Sequence, residues 1–170
     1  MRLDNSRYTR YYVAMVGRLQ KAIRQRRPFR SLEAEAFLNI EHTADALMRG
    51  MAELLKDADL SPTQYNVLRI LRGAGPEGLA CGEIADRMIT RDPDITRLLD
   101  RLVRRGLVER TRDGRDRRVV TTTITREGVE LLGSLDDPVQ QLHARQLSHL
   151  GDRSLTRLVG LLEKARQASR

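Results

Sequence analysis

The stretch from Cys81 to Gly128 constrains the fold more than any other part of the sequence. It reads as a short amphipathic helix, a turn, a longer amphipathic helix and two strands joined by a polar, arginine-rich tip. The longer helix carries an apolar stripe at i, i+3, i+4, i+7 and i+8, which is the spacing of a buried helical face. The stripe comprises Ile95, Leu98, Leu99, Leu102 and Val103. The second strand, Val119 to Thr125, is rich in β-branched residues, as strands are. We therefore predict a winged helix-turn-helix: mainly α with a small two- or three-stranded antiparallel wing.

Capping residues mark where the helices of this unit begin and end. Asp92 is predicted to cap the longer helix with Pro93 in its first position, and Gly106 to end it. Asp94, two residues further on, is interpreted as a support of that cap. Thr125 is predicted to cap the helix that follows the wing.

The rest of the chain predicts helices on both sides of this unit. An apolar stripe at helical spacing predicts a first helix from about Asn5 to Arg26, and Ser31 is a cap for a second that runs to about Lys56. The capping box Ser61-Pro62-Thr63-Gln64 begins a third. Pro138 is expected to bend or interrupt the helix after the wing. We divide the chain into a basic arm (1–30), a dimerisation or linker helix (31–57), the winged unit (58–128) and C-terminal dimerisation helices (129–170).

Positive charge is concentrated in two segments. Residues 1–30 carry nine basic side chains and one acid, and residues 87–126 carry twelve basic and six acidic ones. Residues 31–86 have the opposite balance, with four basic and ten acidic side chains. Basic charge localised on an arm and on a helix–hairpin unit is typical of a protein that binds nucleic acid. Double-stranded DNA, with a helix in its major groove, is the predicted partner.

The segments S-P-T-Q-Y-N-V-L, C-G-E-I-A-D-R-M and D-G-R-D-R-R followed by I-T-R-E-G resemble the MarR (multiple antibiotic resistance regulator) family. The resemblance covers about residues 31–170. It implies a transcriptional regulator, in most cases a repressor, that binds a pseudo-palindromic operator as a homodimer. It also implies that a wing-tip arginine, Arg118, enters the minor groove and is oriented by Asp116.

Further DNA contacts are predicted on the recognition helix and the wing. The recognition helix is the longer helix described above, and we expect Thr96 and Arg97 at its start to read base edges. Arg91 and Arg101 are expected to assist them. Arg115 and Arg117 are expected to contact phosphates. Another interpretation stays open for the acids of this region, which could pair with neighbouring arginines and only hold the wing in place. These acids are Asp100, Asp113 and Asp116.

The resemblance also implies a small aromatic effector that binds between the helical platform and the winged unit and lowers DNA affinity. The candidate lining residues are His42, Tyr65 and Arg69. Two alternative functions remain: a non-specific architectural DNA-binding protein, and a redox-sensing regulator that uses Cys81. Since Cys81 is the single cysteine, no intrachain disulfide can form.

Nothing in the sequence indicates an enzyme, a metal site or a cofactor. His42, His143 and His149 are too dispersed for a metal-ligand motif. The G-x-G-x-x-G spelled by residues 73–78 follows a capped helix rather than a strand, so it is not a dinucleotide fingerprint. No apolar run approaches membrane-spanning length, and the N-terminal residues have no signal-peptide core. We expect a cytoplasmic protein without a membrane partner.

Overall fold

The computed structural model describes residues 18–90, 94–112 and 120–167. The described elements are, in chain order, α1 (Arg18–Ala22), α2 (Leu32–Leu55), α3 (Pro62–Ala74), β1 (Leu79–Ala80), α4 (Cys81–Arg87), α5 (Ile95–Arg104), β2 (Val108–Arg112), β3 (Val120–Ile124), α6 (Arg126–Leu147) and α7 (Asp152–Gln167). The predicted fold class, mainly α with a small antiparallel sheet, is confirmed.

The chain divides into two compact units, residues 1–46 and 47–170, with the boundary inside α2. In the first unit Leu19 and Phe29 are buried, and the Ser31 hydroxyl accepts a hydrogen bond from the Ala34 amide at 3.2 Å, as the predicted cap requires. The predicted end of the first helix at Arg26 is wrong. The helix ends at Ala22 because Arg24 has a φ of 54°, in the left-handed region that terminates helices.

The second unit is organised around α3. The predicted capping box is confirmed: the Ser61 hydroxyl accepts from the Gln64 amide at 3.2 Å, and the Gln64 side chain accepts from the Ser61 amide at 2.9 Å. The helix continues to Ala74 and buries one face, formed by Gln64, Tyr65, Val67, Leu68 and Leu71. The apolar members of this face, Tyr65, Val67, Leu68 and Leu71, are the base on which the helix-turn-helix packs.

Three antiparallel strands form the sheet of the winged unit, in the order β1-β3-β2. In β1, Leu79 pairs with Thr122, and in β2, Val108 pairs with Ile124 and Arg112 with Val120. The register extends over the full length of β2, so the pairing of β2 with β3 begins four residues after the end of α5 and continues to Arg112. The short strand β1 thus adds a third strand to the hairpin of β2 and β3.

The core lies between α3, α4, α5, the sheet and the first half of α6. Fully buried side chains come from each of these elements and include Leu68, Ile84, Leu99, Leu102, Val108 and Leu132, and Leu55 at the end of α2 belongs to the same cluster. Because every element contributes to one apolar cluster, the recognition helix is supported from beneath over its whole length.

Helix α6 follows the wing and is capped by Thr125, as predicted. The Thr125 hydroxyl accepts a hydrogen bond from the Gly128 amide at 3.1 Å. Of the bend or interruption expected at Pro138, the interruption is wrong, since the helix runs unbroken to Leu147. Proline removes one backbone hydrogen bond. Burial of Leu135 and Val139 on either side, at 8% and 6% exposed, offsets that loss by holding the helix on the core.

A bidentate ion pair connects α3 to α6. The Arg72 guanidinium donates to both carboxylate oxygens of Asp136, at 2.9 and 2.8 Å. These hydrogen bonds lower the pKa of Asp136 below its ordinary value, with a smaller coulombic contribution from the same arginine. A carboxyl group whose pKa is lower in the folded than in the unfolded state stabilises the fold above its unfolded pKa. That stabilisation is lost as the pH falls through the folded pKa.

We therefore expect Asp136→Asn to lower the free energy of unfolding at pH 7 by about 0.5–1 kcal/mol, a small value because both side chains are partly exposed. The difference between variant and wild type should narrow below about pH 4. Urea denaturation at pH 7 and pH 3 measures both. Asp137→Asn is the matched control, since the described part of the chain shows no ion pair for Asp137. If Asp136→Asn and wild type differed in free energy of unfolding by the same amount at pH 7 and pH 3, the stabilisation would not come from the ionised Asp136 carboxylate.

Candidate nucleic-acid interface

Helix α5 is the recognition helix of the winged unit. The Asp94 carboxylate accepts a hydrogen bond from the Arg97 amide at 3.2 Å, which satisfies one of the free donors at the start of the helix. Asp94 was interpreted as a support of the cap, and the structure shows it as the capping residue itself. The prediction that Asp92 caps the helix with Pro93 as its first residue is wrong, because Asp94 accepts that bond and α5 begins at Ile95.

The two faces of α5 differ sharply in burial. Leu99 and Leu102 are fully buried and Leu98 is 6% exposed, whereas Thr96, Arg97 and Arg101 are exposed. The predicted burial of Val103 is wrong, since this side chain is 37% exposed. Val103 lies at the edge of the stripe, about 100° around the helix from Leu102. The helix thus has a narrow buried base and a broad polar face.

Arg97 is the residue of this polar face whose side chain the structure orients. Its Nε lies 3.0 Å from the Asp94 Oδ2, and the side chain is 80% exposed. An exposed pair of this kind contributes little to stability. Its effect is positional, since the guanidinium is held at the N-terminal end of α5, where a helix in the major groove contacts base edges.

Arg110 connects the recognition helix to the sheet. Its guanidinium donates to the Asp100 carboxylate at 2.6 Å and to the Thr96 carbonyl at 3.3 Å. The interpretation that Asp100 pairs with a neighbouring arginine is confirmed. Arg110 itself was missed by the sequence reasoning. The Arg110 side chain is 28% exposed, against 80% for Arg97, and no spacing along the sequence indicated its contact with α5.

Arg105 holds the other end of α5. Its guanidinium donates to the carbonyl oxygens of Ala58, at 2.9 Å, and of Asp59. The Asp59 backbone has a φ of 49°, so this arginine fixes an unusual turn between α2 and α3. The C-terminal end of the recognition helix is thereby tied to the segment that follows α2. Nothing in the sequence pattern indicated this contact.

The turn that precedes α5 is held by α3. The Asn66 side-chain oxygen accepts a hydrogen bond from the Ile89 amide at 3.1 Å.

Of the predicted DNA contacts, the structure places Thr96, Arg97 and Arg101 together on one exposed face of the recognition helix. The other predicted contacts lie outside the described residues. They are Arg91 and the wing residues Arg115, Asp116, Arg117 and Arg118. Asp113 of the wing lies outside them as well.

The candidate effector residues lie in different units. Tyr65 and Arg69 are neighbours on α3, with the Arg69 guanidinium carbon 6.0 Å from the centre of the Tyr65 ring. Tyr65 is 7% exposed, and burial raises the pKa of its phenol. His42 is exposed on the part of α2 that belongs to residues 1–46. Cys81 begins α4 and packs half-buried against the core.

The same fold is found in known proteins. The MarR family model matches residues 60–120. The crystal structure of a MarR transcription factor from Planctomyces limnophilus is 47% identical to this chain, covers 79% of it and 98% of its own chain, and superposes with a TM-score of 0.63. The chain belongs to the MarR family. Its winged unit is thus that of a DNA-binding transcriptional regulator, and the relatives in this family are not enzymes.

Two further relatives are similar to this chain over most of its length. The HTH-type transcriptional repressor MdtR of Bacillus subtilis is 28% identical over 138 residues, which cover 81% of this chain and 88% of MdtR. A mutant MarR from E. coli, crystallised with operator DNA, is 28% identical, covers 74% of this chain and 89% of its own, and has a TM-score of 0.68. Within the described ranges, no helix is long and apolar enough to cross a membrane.

Proposed function

We propose that this MarR-family chain is a sequence-specific repressor that binds a pseudo-palindromic operator as a homodimer. The observation that carries the proposal is the rigid presentation of α5. Leu99 and Leu102 anchor its buried face, while Arg110 and Arg105 hold its two ends. A helix supported in this way can enter the major groove without losing its register.

We assign base reading to Thr96 and Arg97 and a supporting contact to Arg101. Arginine donates two parallel hydrogen bonds to the O6 and N7 atoms of guanine, the commonest specific contact in the major groove. Arg91, and the wing residues Arg115, Arg117 and Arg118 with Asp116, complete the proposed interface. Phosphate contacts from the wing orient the protein, and the helix supplies the sequence preference.

The homodimer is supported by apolar side chains that a single chain leaves exposed. On α7, Val159 and Leu161 are each 55% exposed and Leu158 is 38% exposed. In the unit of residues 1–46, Phe37 is 61% exposed on α2. Large apolar side chains exposed on one helix, as on α7, indicate an interaction site. A two-fold dimer would bring two α5 helices to successive major grooves, about 34 Å apart.

Regulation by a small aromatic ligand also belongs to this proposal. A ligand lowers DNA affinity only if it binds better to the conformation that fits the operator poorly. Tyr65 and Arg69 offer a ring and a cation on α3, in the helix that carries the recognition unit. Contact between an aromatic acid and these two side chains would change how α3 supports the turn before α5.

Arg97→Ala is expected to relax base preference at one position in each half-site and to weaken operator binding by about 1–3 kcal/mol. The preference is measured by selection from random duplexes, and affinity by titration at several salt concentrations. Arg126→Ala is the matched control, because it removes a similar exposed ion pair, with Glu130 at 2.8 Å. If wild-type protein binds random and selected duplexes equally, the chain is an architectural DNA-binding protein and the proposal is wrong.

A further inference from the structure

A basic groove lies beside the recognition helix, within the unit of residues 47–170. Its volume is about 740 Å³, and it is bounded by the end of α2, the start of α3 and the end of α5. The apolar part of its wall comes from Ala52, Leu60 and Pro62, and the charged part is formed mainly by cations. These cations are Lys56, Arg101, Arg104 and Arg105, and the carboxylate of the lining is that of Asp59.

Two of these cations, Lys56 and Arg105, are paired with carboxylates. The Lys56 ammonium lies 2.7 Å from the Glu53 carboxylate, and Arg105 is held by Asp59 and by two backbone carbonyls. For Arg101 and Arg104 the structure shows no ion pair within the described residues. The nearby acid of the same helix, Asp100, is engaged by Arg110 at 2.6 Å. Among the described residues, no ion pair therefore compensates these two positive charges of the groove.

Arg101 and Arg104 are three residues apart on α5, so their side chains leave the helix on one face. Like charges at this spacing repel each other. A ligand with two negative charges would remove the repulsion and accept hydrogen bonds from both guanidinium groups. A single negative charge would compensate only half of the pair. The neighbouring Leu60 and Pro62 offer contact for an apolar body of the ligand.

We propose that this groove binds a small organic phosphate monoester, with the phosphate between Arg101 and Arg104 and the organic group against Leu60 and Pro62. A phosphate monoester carries a charge of about −1.5 to −2 at pH 7 and three acceptor oxygens, and these match the donor forks of two arginines. None of the lining residues is among His42, Tyr65 and Arg69, so this site is separate from the aromatic effector site proposed above.

Binding in the groove has a consequence for DNA. Arg101 lies on the recognition helix, and a dianion beside it neutralises positive charge that would otherwise attract DNA phosphates. The ligand therefore lowers DNA affinity, and DNA lowers the affinity for the ligand by the same factor. This consequence rests on the proposed operator binding, whereas occupancy of the groove does not.

Calorimetric titration of the full chain without DNA tests the groove directly. Phenyl phosphate is expected to bind once per chain, and more tightly than benzoate, phenol or inorganic phosphate. Arg104→Gln should weaken phenyl phosphate at least about tenfold, because it removes a charge-assisted hydrogen bond. Arg145→Gln, an exposed arginine of α6 outside the groove, is the control and should bind as wild type does. Thermal unfolding of each variant verifies that it is folded.

The proposal is overturned if phenyl phosphate does not bind, if benzoate binds as tightly, or if the two variants lose affinity equally. A second measurement separates the ligand site from a DNA contact. Arg104→Gln should bind DNA as wild type does when no phosphate ester is present, and phenyl phosphate should weaken DNA binding only in wild type. If the substitution itself weakens DNA binding tenfold, the groove is a contact for DNA phosphates and the proposal fails.

Discussion

Leu99→Ala is expected to lower the free energy of unfolding by about 2–5 kcal/mol, because it leaves a cavity at a fully buried position of the recognition helix. Leu99 packs in the cluster that α3, α4, α5, the sheet and α6 share, so the helix loses its base. Urea denaturation followed by circular dichroism measures the change. DNA binding should fall as well, in proportion to the fraction of protein that is unfolded.

Val103→Ala is the matched control on the same helix. Val103 is 37% exposed, so its truncation should cost less than about 0.5 kcal/mol. Equal losses for Leu99→Ala and Val103→Ala would contradict the burial pattern and would mean that α5 lies on the core through a wider face.

Gly128→Ala is expected to cost about 1–3 kcal/mol of stability through overpacking. A Cβ at this position would overlap the carbonyl oxygen of Leu107 and would lie 2.7 Å from the Cγ1 of Ile124. The Leu107 carbonyl cannot move freely, since it also accepts a hydrogen bond from the Thr125 amide at 3.1 Å. The first turn of α6 would therefore be forced away from the base of the wing.

Gly133→Ala tests whether this cost comes from the close approach rather than from a glycine in α6. A Cβ at Gly133 meets nothing within 4 Å. Alanine should stabilise that helical position by about 0.5–1 kcal/mol, since it loses less backbone entropy than glycine. Thermal or urea unfolding of the two variants gives opposite signs if the geometry is right. A stability loss at Gly133, or none at Gly128, would show that it is wrong.

Local signals in the sequence predicted most of the boundaries around the DNA-binding unit. The capping box at Ser61, the cap at Thr125 and the end of α5 at Gly106, whose φ is 68°, are all present. Each of them depends on backbone groups within a few residues, so short-range chemistry determines it. The apolar stripe of α5 was likewise predicted correctly, apart from Val103 at its edge.

The same local reasoning failed where distant parts of the chain decide the outcome. Pro138 does not interrupt α6, because burial on the core outweighs one lost backbone hydrogen bond. Arg110 reaches Asp100 across 10 positions, and Arg105 reaches Ala58 across 47. Neither pairing follows a helical or strand spacing. Predictions for the wing-tip residues Asp116 and Arg118 stay predictions, because those residues lie outside the described ranges.

By itself, the sequence determined the order of elements, the buried face of the recognition helix and the wing pattern that indicates the MarR family. These properties follow from side-chain periodicity and capping, which act along the chain. Only the tertiary structure decided which contacts hold the two ends of α5 and which cations of the groove have no ion pair among the described residues. It also decided why position 128 requires glycine. Those answers depend on which atoms meet after folding, and no spacing along the sequence carries that information.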